Sequence, residues 1–188
     1  LMAYKKHMDG FGVVVLASVT AIGGGTLRDM ILDLPVFWVQ DPSFFYVIIL
    51  AAFSTIMWLR SKDTFPLRYL FFADAFGLAF FNVMGLQKAL TYGAFPLIAI
   101  ALGTMTAVFG GLIRDVICRE IPMVLKGELY ATACIVGGIS YVLGFQLGLS
   151  TASCMMIGFC VTLACRLCAM KWRWHLPLFN PHDSVKDE

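Results

Sequence analysis

Two short strings hold most of the residues in this chain that could do chemistry. Gly23-Gly24-Gly25-Thr26-Leu27-Arg28-Asp29 recurs as Phe109-Gly110-Gly111-Leu112-Ile113-Arg114-Asp115. Each interrupts an apolar stretch long enough to span a bilayer. Glycine leaves the helical region at little steric cost, so Gly23, Gly24 and Gly25 predict one broken helix, and Gly110 and Gly111 a second. A break frees carbonyls near Thr20 and Thr106 and N–H groups just ahead of Arg28 and Arg114. Such groups are too costly against lipid and would have to face protein or water. Freed carbonyls suit a dehydrated cation, and a half-helix N-terminus suits a carboxylate. The pattern therefore points to a dehydrated cation near the breaks, or to a small zwitterion. The same glycines could instead let two helices pack closely through small residues.

The charges that follow the glycines sharpen the question. A charged side chain deep in a membrane helix costs on the order of 2.5–3.5 kcal/mol on insertion scales. Asp29 and Asp115 are available to neutralise Arg28 and Arg114. Adjacent residues on a helix do not face each other, so the expected partners come from across the repeat. Asp74, in Phe72-Ala73-Asp74-Ala75-Phe76-Gly77, is an acid inside a span with no adjacent base. It could draw a cation to a pore mouth or cap a helix end. Asn82, Thr20, Thr104 and Thr106 suit a pore wall or hydrogen bonds between helices.

Other chemistry finds no support. The string of glycines lacks the Lys-Ser/Thr of a phosphate loop, and no nucleophile–base pair or nucleic-acid-binding patch occurs. No enzyme and no cofactor are expected. His7, His175 and His182 lie near the chain ends and form no metal-binding spacing. The six cysteines fall in apolar stretches and read as small packing residues.

The elements that must position these residues are membrane helices. Hydrophobic residues make up 60% of the 188, charged residues 14%, and the mean hydropathy is +0.81. A soluble domain of this size has no use for so much apolar surface. A membrane helix needs about 20 apolar residues, and six stretches approach that length: 11–34, 44–59, 69–86, 95–118, 129–147 and 152–170. Prolines at 35, 42, 66, 122 and 177 mark their ends.

The repeat orders the spans. A gapless alignment pairs Ala3 with Ala89, Leu16 with Leu102, Thr20 with Thr106 and Ala21 with Ala107. The second glycine-bearing span follows a complete helix, whereas the first follows only Leu1-Met2-Ala3-Tyr4 and two lysines. The expectation is a seven-helix plan whose first helix is mostly absent from this sequence. Equivalent helices separated by an odd number of crossings run in opposite directions, which makes an inverted repeat. The chain then divides into a first repeat (1–68), a second, inverted repeat (69–149), a seventh helix (150–176) and a cytoplasmic tail (177–188). Of the 14 Lys and Arg, only Arg28 and Lys88 fall on one face of this plan, and the rest fall on the other. That imbalance places the C-terminus in the cytoplasm. Trp172 and Trp174 beside Lys171 and Arg173 suit the headgroup layer.

The doubled glycine–Arg-Asp string, Pro35-Val36-Phe37-Trp38, Gln87-Lys88-Ala89-Leu90 and Glu120-Ile121-Pro122 together resemble one family, the bacterial glycine transporter domain family, whose prokaryotic members are similar to TRIC (trimeric intracellular cation) channels. The resemblance covers nearly the whole chain. It implies seven helices, a homotrimer with one pore per subunit between the two glycine-kinked helices, permeation of potassium and sodium with a transient potassium or sodium ion near the helix breaks, and a bacterial inner membrane location. This sequence departs from the pattern at Phe109, where a third glycine would complete the second triplet. Three functions compete: a passive monovalent-cation channel, a carrier for glycine or another small zwitterion, and a structural membrane protein whose glycines serve packing alone.

Overall fold

The computed structural model describes residues 2–61, 67–126, 129–172 and 174. The tail 177–188, and Lys62, Arg173 and Lys186 of the charge pattern, lie outside the described residues. Among those described, every regular element is helical. In chain order they are α1 (Met2–Lys5), α2 (Gly10–Ile31), α3 (Phe37–Gln40), α4 (Ser43–Ser61), α5 (Leu67–Thr91), α6 (Pro96–Ile117), a 3-10 turn (Met123–Leu125), α7 (Ala131–Gln146) and α8 (Thr151–Trp172).

Five of these helices, α2, α4, α5, α6 and α8, are long and apolar enough to cross a membrane, and the apolar α7 is shorter at 16 residues. At 1.5 Å per residue the 22 residues of α2 span about 33 Å, slightly more than a ~30 Å hydrocarbon core. Their ends follow local chemistry. Asp9 caps α2 by accepting from the Gly12 N–H at 2.7 Å. Pro96 opens α6, where its missing N–H removes nothing.

The repeat is visible in the backbone. The Leu32 N–H bonds the Arg28 carbonyl, Asp33 takes φ +52°, and the Leu34 N–H reaches back to the Asp29 carbonyl at 2.9 Å. The same closure ends α6, 86 residues later: Cys118 to Arg114, Arg119 at φ +54°, and Glu120 to Asp115 at 2.9 Å. A short helical turn follows each, α3 in the first copy and the 3-10 turn in the second. Even the first residues comply. Met8 bonds the Ala3 carbonyl as Ala94 bonds that of Ala89, and His7 and Gly93 both take positive φ.

The centre of the bundle is the α5–α6–α7–α8 group, with α2 laid against α6. Leu86, Ala89, Ala99, Leu102, Tyr141 and Cys154 are buried there. Glycines set its close approaches. A Cβ on Gly103 would stand 2.6 Å from the Asn82 carbonyl oxygen, and one on Gly137 would stand 2.8 Å from the Gly158 carbonyl oxygen. Helices in lipid gain their association from such contacts, because no hydrophobic force separates protein from tails. The outer surface is apolar in turn. On α4 only Ile48 and Ala52 are buried, while Phe44, Tyr46, Leu50, Phe53 and Trp58 face outward, the composition of a lipid-exposed helix.

Candidate functional site

The two glycine clusters meet, but the helices that carry them are not broken. α2 runs without interruption through Gly23, Gly24 and Gly25, and α6 through Gly110 and Gly111. The expected helix breaks, and the carbonyls they would free, are therefore corrected. The glycines instead permit direct contact of two backbones. A Cβ on Gly24 would overlap the Thr106 carbonyl oxygen and stand 2.9 Å from its carbon. A Cβ on Gly110 would overlap the Thr20 carbonyl oxygen and stand 3.1 Å from its carbon. Gly24 and Gly110 are equivalent in the repeat, as are Thr20 and Thr106, so the contact is reciprocal. Position 20 meets 110 and position 24 meets 106, so the two helices cross in opposite senses. The threonine hydroxyls are also occupied, donating to the Leu16 carbonyl at 2.7 Å and the Leu102 carbonyl at 2.6 Å.

The glycines beside this crossing differ. Gly25 is covered: a Cβ there would stand 2.7 Å from Cε1 of Phe37. Its equivalent, Gly111, is open, the nearest atom being Nη2 of Arg114 at 3.7 Å. Gly111 lines a small cleft of about 10 Å³ together with Val108, Arg114, Asp115, Met123 and Tyr130.

The Arg-Asp pairs sit in the last turns of α2 and α6, where cations complement the helix dipole. Their expected pairing across the repeat is corrected as well. Arg28 donates from Nε at 2.9 Å and from Nη2 at 2.7 Å to Oδ1 of its own neighbour Asp29. Arg114 does the same to Asp115, with Nε at 2.8 Å. The rule that neighbours diverge concerns Cβ directions; a guanidinium on a long flexible stem can fold back across the helix. Each aspartate uses its other oxygen to anchor the turn that follows, accepting from the Phe37 N–H at 3.0 Å or the Met123 N–H at 3.2 Å. Phe37 and Met123 are again 86 residues apart. Among the described residues two ion pairs do cross the repeat: Lys88, in the last turn of α5, places Nζ 2.8 Å from Asp29, and Lys6 places Nζ 2.7 Å from Glu120. The position equivalent to Lys88 in the first copy is Met2, which brings no charge. Asp29 is fully buried with two cations; Asp115 has one, and its arginine side chain is a quarter exposed.

Asp74 is not a lone acid. The Tyr130 hydroxyl donates to its Oδ1 at 3.1 Å, and the Arg166 guanidinium lies over the Tyr130 ring at 4.6 Å. Arg166 is 1% exposed although it lies within α8. Reading it only as part of the charged face missed this cluster; an arginine six residues inside an apolar span was the available signal. Asn82 joins helices: its Nδ2 donates to the Cys134 carbonyl at 2.9 Å and to Thr162 Oγ1 at 3.1 Å. The structure thus gathers Thr20, Thr106, the glycines and both Arg-Asp pairs along one α2–α6 axis, and leaves Asp74 and Asn82 on the α5–α7–α8 side.

Antiparallel equivalent helices, matched closures at both ends and a lipid-facing outer surface define a multi-pass membrane protein built on an inverted repeat. The chain belongs to the glycine transporter family, whose sequence profile matches residues 1–60 and 71–146. It is 50% identical over 183 residues to the UPF0126 inner membrane protein YadS of Escherichia coli K12, covering 95% of this chain and 87% of that one. A UPF0126 membrane protein of Vibrio cholerae is 47% identical over 180 residues, covering 95% and 75%. Among solved structures, a TRIC cation channel described for its conductance superposes with a TM-score of 0.88 at 32% identity, covering 95% of this chain and 88% of that one. The TRIC orthologue of Rhodobacter sphaeroides gives 0.85 at 37% identity, covering 92% and 89%.

Proposed function

We propose that this protein is a passive channel for monovalent cations, potassium and sodium, with one path per subunit alongside the α2–α6 crossing. The observation that carries the reading is the superposition on TRIC cation channels over 95% of the chain. The same likeness supports a homotrimer in the bacterial inner membrane. The excess of Lys and Arg at the Arg114 end supports a cytoplasmic C-terminus. The repeats span 1–68 and 69–149, 150–176 is the added helix, and 177–188 is the tail.

In the present conformation the crossing itself is shut, because backbone touches backbone at Gly24 and Gly110. The route instead follows the face that carries Gly25 and Gly111. Neither Arg-Asp pair offers a free carboxylate, and Lys88 adds positive charge at one end. Dehydration of a cation then falls to carbonyl and hydroxyl oxygens exposed when the helices shift, and such a loose set discriminates weakly between potassium and sodium. A second reading, a carrier for glycine or another small zwitterion, is favoured by the description of the matched family.

Reconstitution in liposomes separates the two. The channel gives currents in asymmetric KCl that reverse near the potassium equilibrium potential. Reversal at the chloride potential rejects the cation reading. Absence of current with saturable uptake of labelled glycine supports the carrier.

A further inference from the structure

The halves of the repeat share backbone but differ in how they cover the path. At the Lys88 end, α3 lies across the C-terminal half of α2. Phe37 packs on Gly25, its N–H bonds Asp29 Oδ2, and the Trp38 indole N–H donates to Thr26 Oγ1 at 2.9 Å. The rings are braced from behind, Phe37 edge-on to Phe44 at 4.7 Å between centroids and Trp38 edge-on to Phe45 at 5.3 Å. At the Arg114 end the equivalent residues are Met123 for Phe37, Val124 for Trp38 and Leu112 for Thr26. None can make the indole–hydroxyl bond, and Gly111 faces the cleft.

We infer that Phe37 and Trp38 form a plug that closes the path at the Lys88 end, latched by Thr26 and Asp29, while the Arg114 end carries no such plug over Gly111. Packing alone would explain an aromatic residue on a glycine. It does not explain why the equivalent glycine, on an equally well-formed helix, is left uncovered. The plug, on a four-residue helix, is held by one aspartate, one hydroxyl, two ring contacts and the Arg28 guanidinium 6.0 Å from the Phe37 ring centre, so it can lift without unfolding α2. This inference rests on the channel reading for its consequence, but its geometry can be tested apart from it.

Two measurements do so. In the first, an impermeant maleimide is applied to Thr26→Cys and Gly111→Cys, and modification of each variant is read by mass spectrometry. Gly111→Cys is expected to react. Because a side chain at position 25 would itself displace Phe37, the covered end is read in place of Gly25→Cys by Thr26→Cys, whose thiol replaces the hydroxyl under Trp38 and should stay protected until Trp38→Ala is added. Equal reaction of Thr26→Cys and Gly111→Cys with Trp38 present overturns the plug. In the second, potassium flux is compared in Trp38→Phe and Thr26→Val, which both remove the latch bond; Thr26→Val also gives up the hydroxyl's bond to the Ile22 carbonyl within α2. Each should raise flux about five-fold, the population shift expected from one lost hydrogen bond, and the double variant should add nothing further. Conduction in the parent with no change in either variant overturns the proposal. Absence of flux in every protein, with the labelling contrast intact, removes the channel reading and leaves the plug standing.

Discussion

Adding a single methyl group at the α2–α6 crossing is the sharpest test of the role assigned to the glycines. In Gly24→Ala the new Cβ stands 2.9 Å from the Thr106 carbonyl carbon, with the oxygen closer still. Carbon atoms rest at about 3.5–4.0 Å. The obstruction is backbone inside a helix, so no side chain can swing aside, and the helices have to separate by roughly 1 Å. A gap of that size forfeits about a quarter to a half of the dispersion energy of each contact along the interface. The cost belongs near the upper end of the ~1–3 kcal/mol range for overpacking. Gly110→Ala meets the Thr20 carbonyl in the same way and should cost the same. The double variant should cost less than the sum, since one separation accommodates both methyls. Gly111→Ala meets only Arg114 Nη2 at 3.7 Å and gains helix propensity of about 0.5–1 kcal/mol. Thermal unfolding of the purified proteins in one detergent reads the order directly: the position 24 and 110 variants well below the parent, the position 111 variant at or above it. If Gly111→Ala were as damaging as Gly110→Ala, the glycines would act through backbone freedom and the packing account would be wrong. A parent-like Gly24→Ala would refute the close contact itself.

Asp29→Asn leaves Arg28 and Lys88 without their buried counter-charge and should cost about 3–5 kcal/mol; Asp115→Asn, which strands one partly exposed arginine, should cost clearly less in the same melting assay. Lys88→Met installs the residue found at the equivalent position of the other repeat, and the protein should assemble normally, which native gel electrophoresis checks. Arg119→Gly relieves a left-handed conformation that costs a side chain about 1–2 kcal/mol and should raise the melting temperature. Ser184→Cys should react with an impermeant maleimide only after cells are opened, and labelling of intact cells would reverse the topology.

The membrane spans were legible because apolar length is a one-dimensional property, and all six stretches became helices within a few residues. The repeat was legible because Gly110-Gly111 and Arg114-Asp115 retain the residues of the first copy. What glycine does there was not. A helix break and a helix contact ask for the same small residue, and the choice depends on which backbone lies opposite, here the Thr106 and Thr20 carbonyls. The short turns after α2 and α6 were missed for a related reason. Their backbones and their bonds to Asp29 and Asp115 repeat, but Phe37 and Met123 share no identity for an alignment to catch. Asp74 looked isolated because Tyr130 and Arg166 are 56 and 92 residues away in the chain.

The unequal halves also bear on how the protein would work. A carrier built on an inverted repeat alternates by letting each half adopt the conformation of the other. That exchange is easiest when the two states lie within a few kcal/mol of each other. Here the difference between the ends is written into side chains that cannot be exchanged: Phe37 for Met123, Trp38 for Val124, Thr26 for Leu112, Lys88 for Met2. An arrangement closed over Gly111 and open over Gly25 would give up the indole–hydroxyl bond and the ring contacts at one end and gain no counterparts at the other. This favours a path with one gate over a carrier with two. Glycine at saturating concentration separates them. With a single gate, labelling of Gly111→Cys is unchanged by glycine. If alternation occurs, glycine protects Gly111→Cys from the maleimide and, under the same conditions, exposes Thr26→Cys to it, and the argument from unequal halves fails.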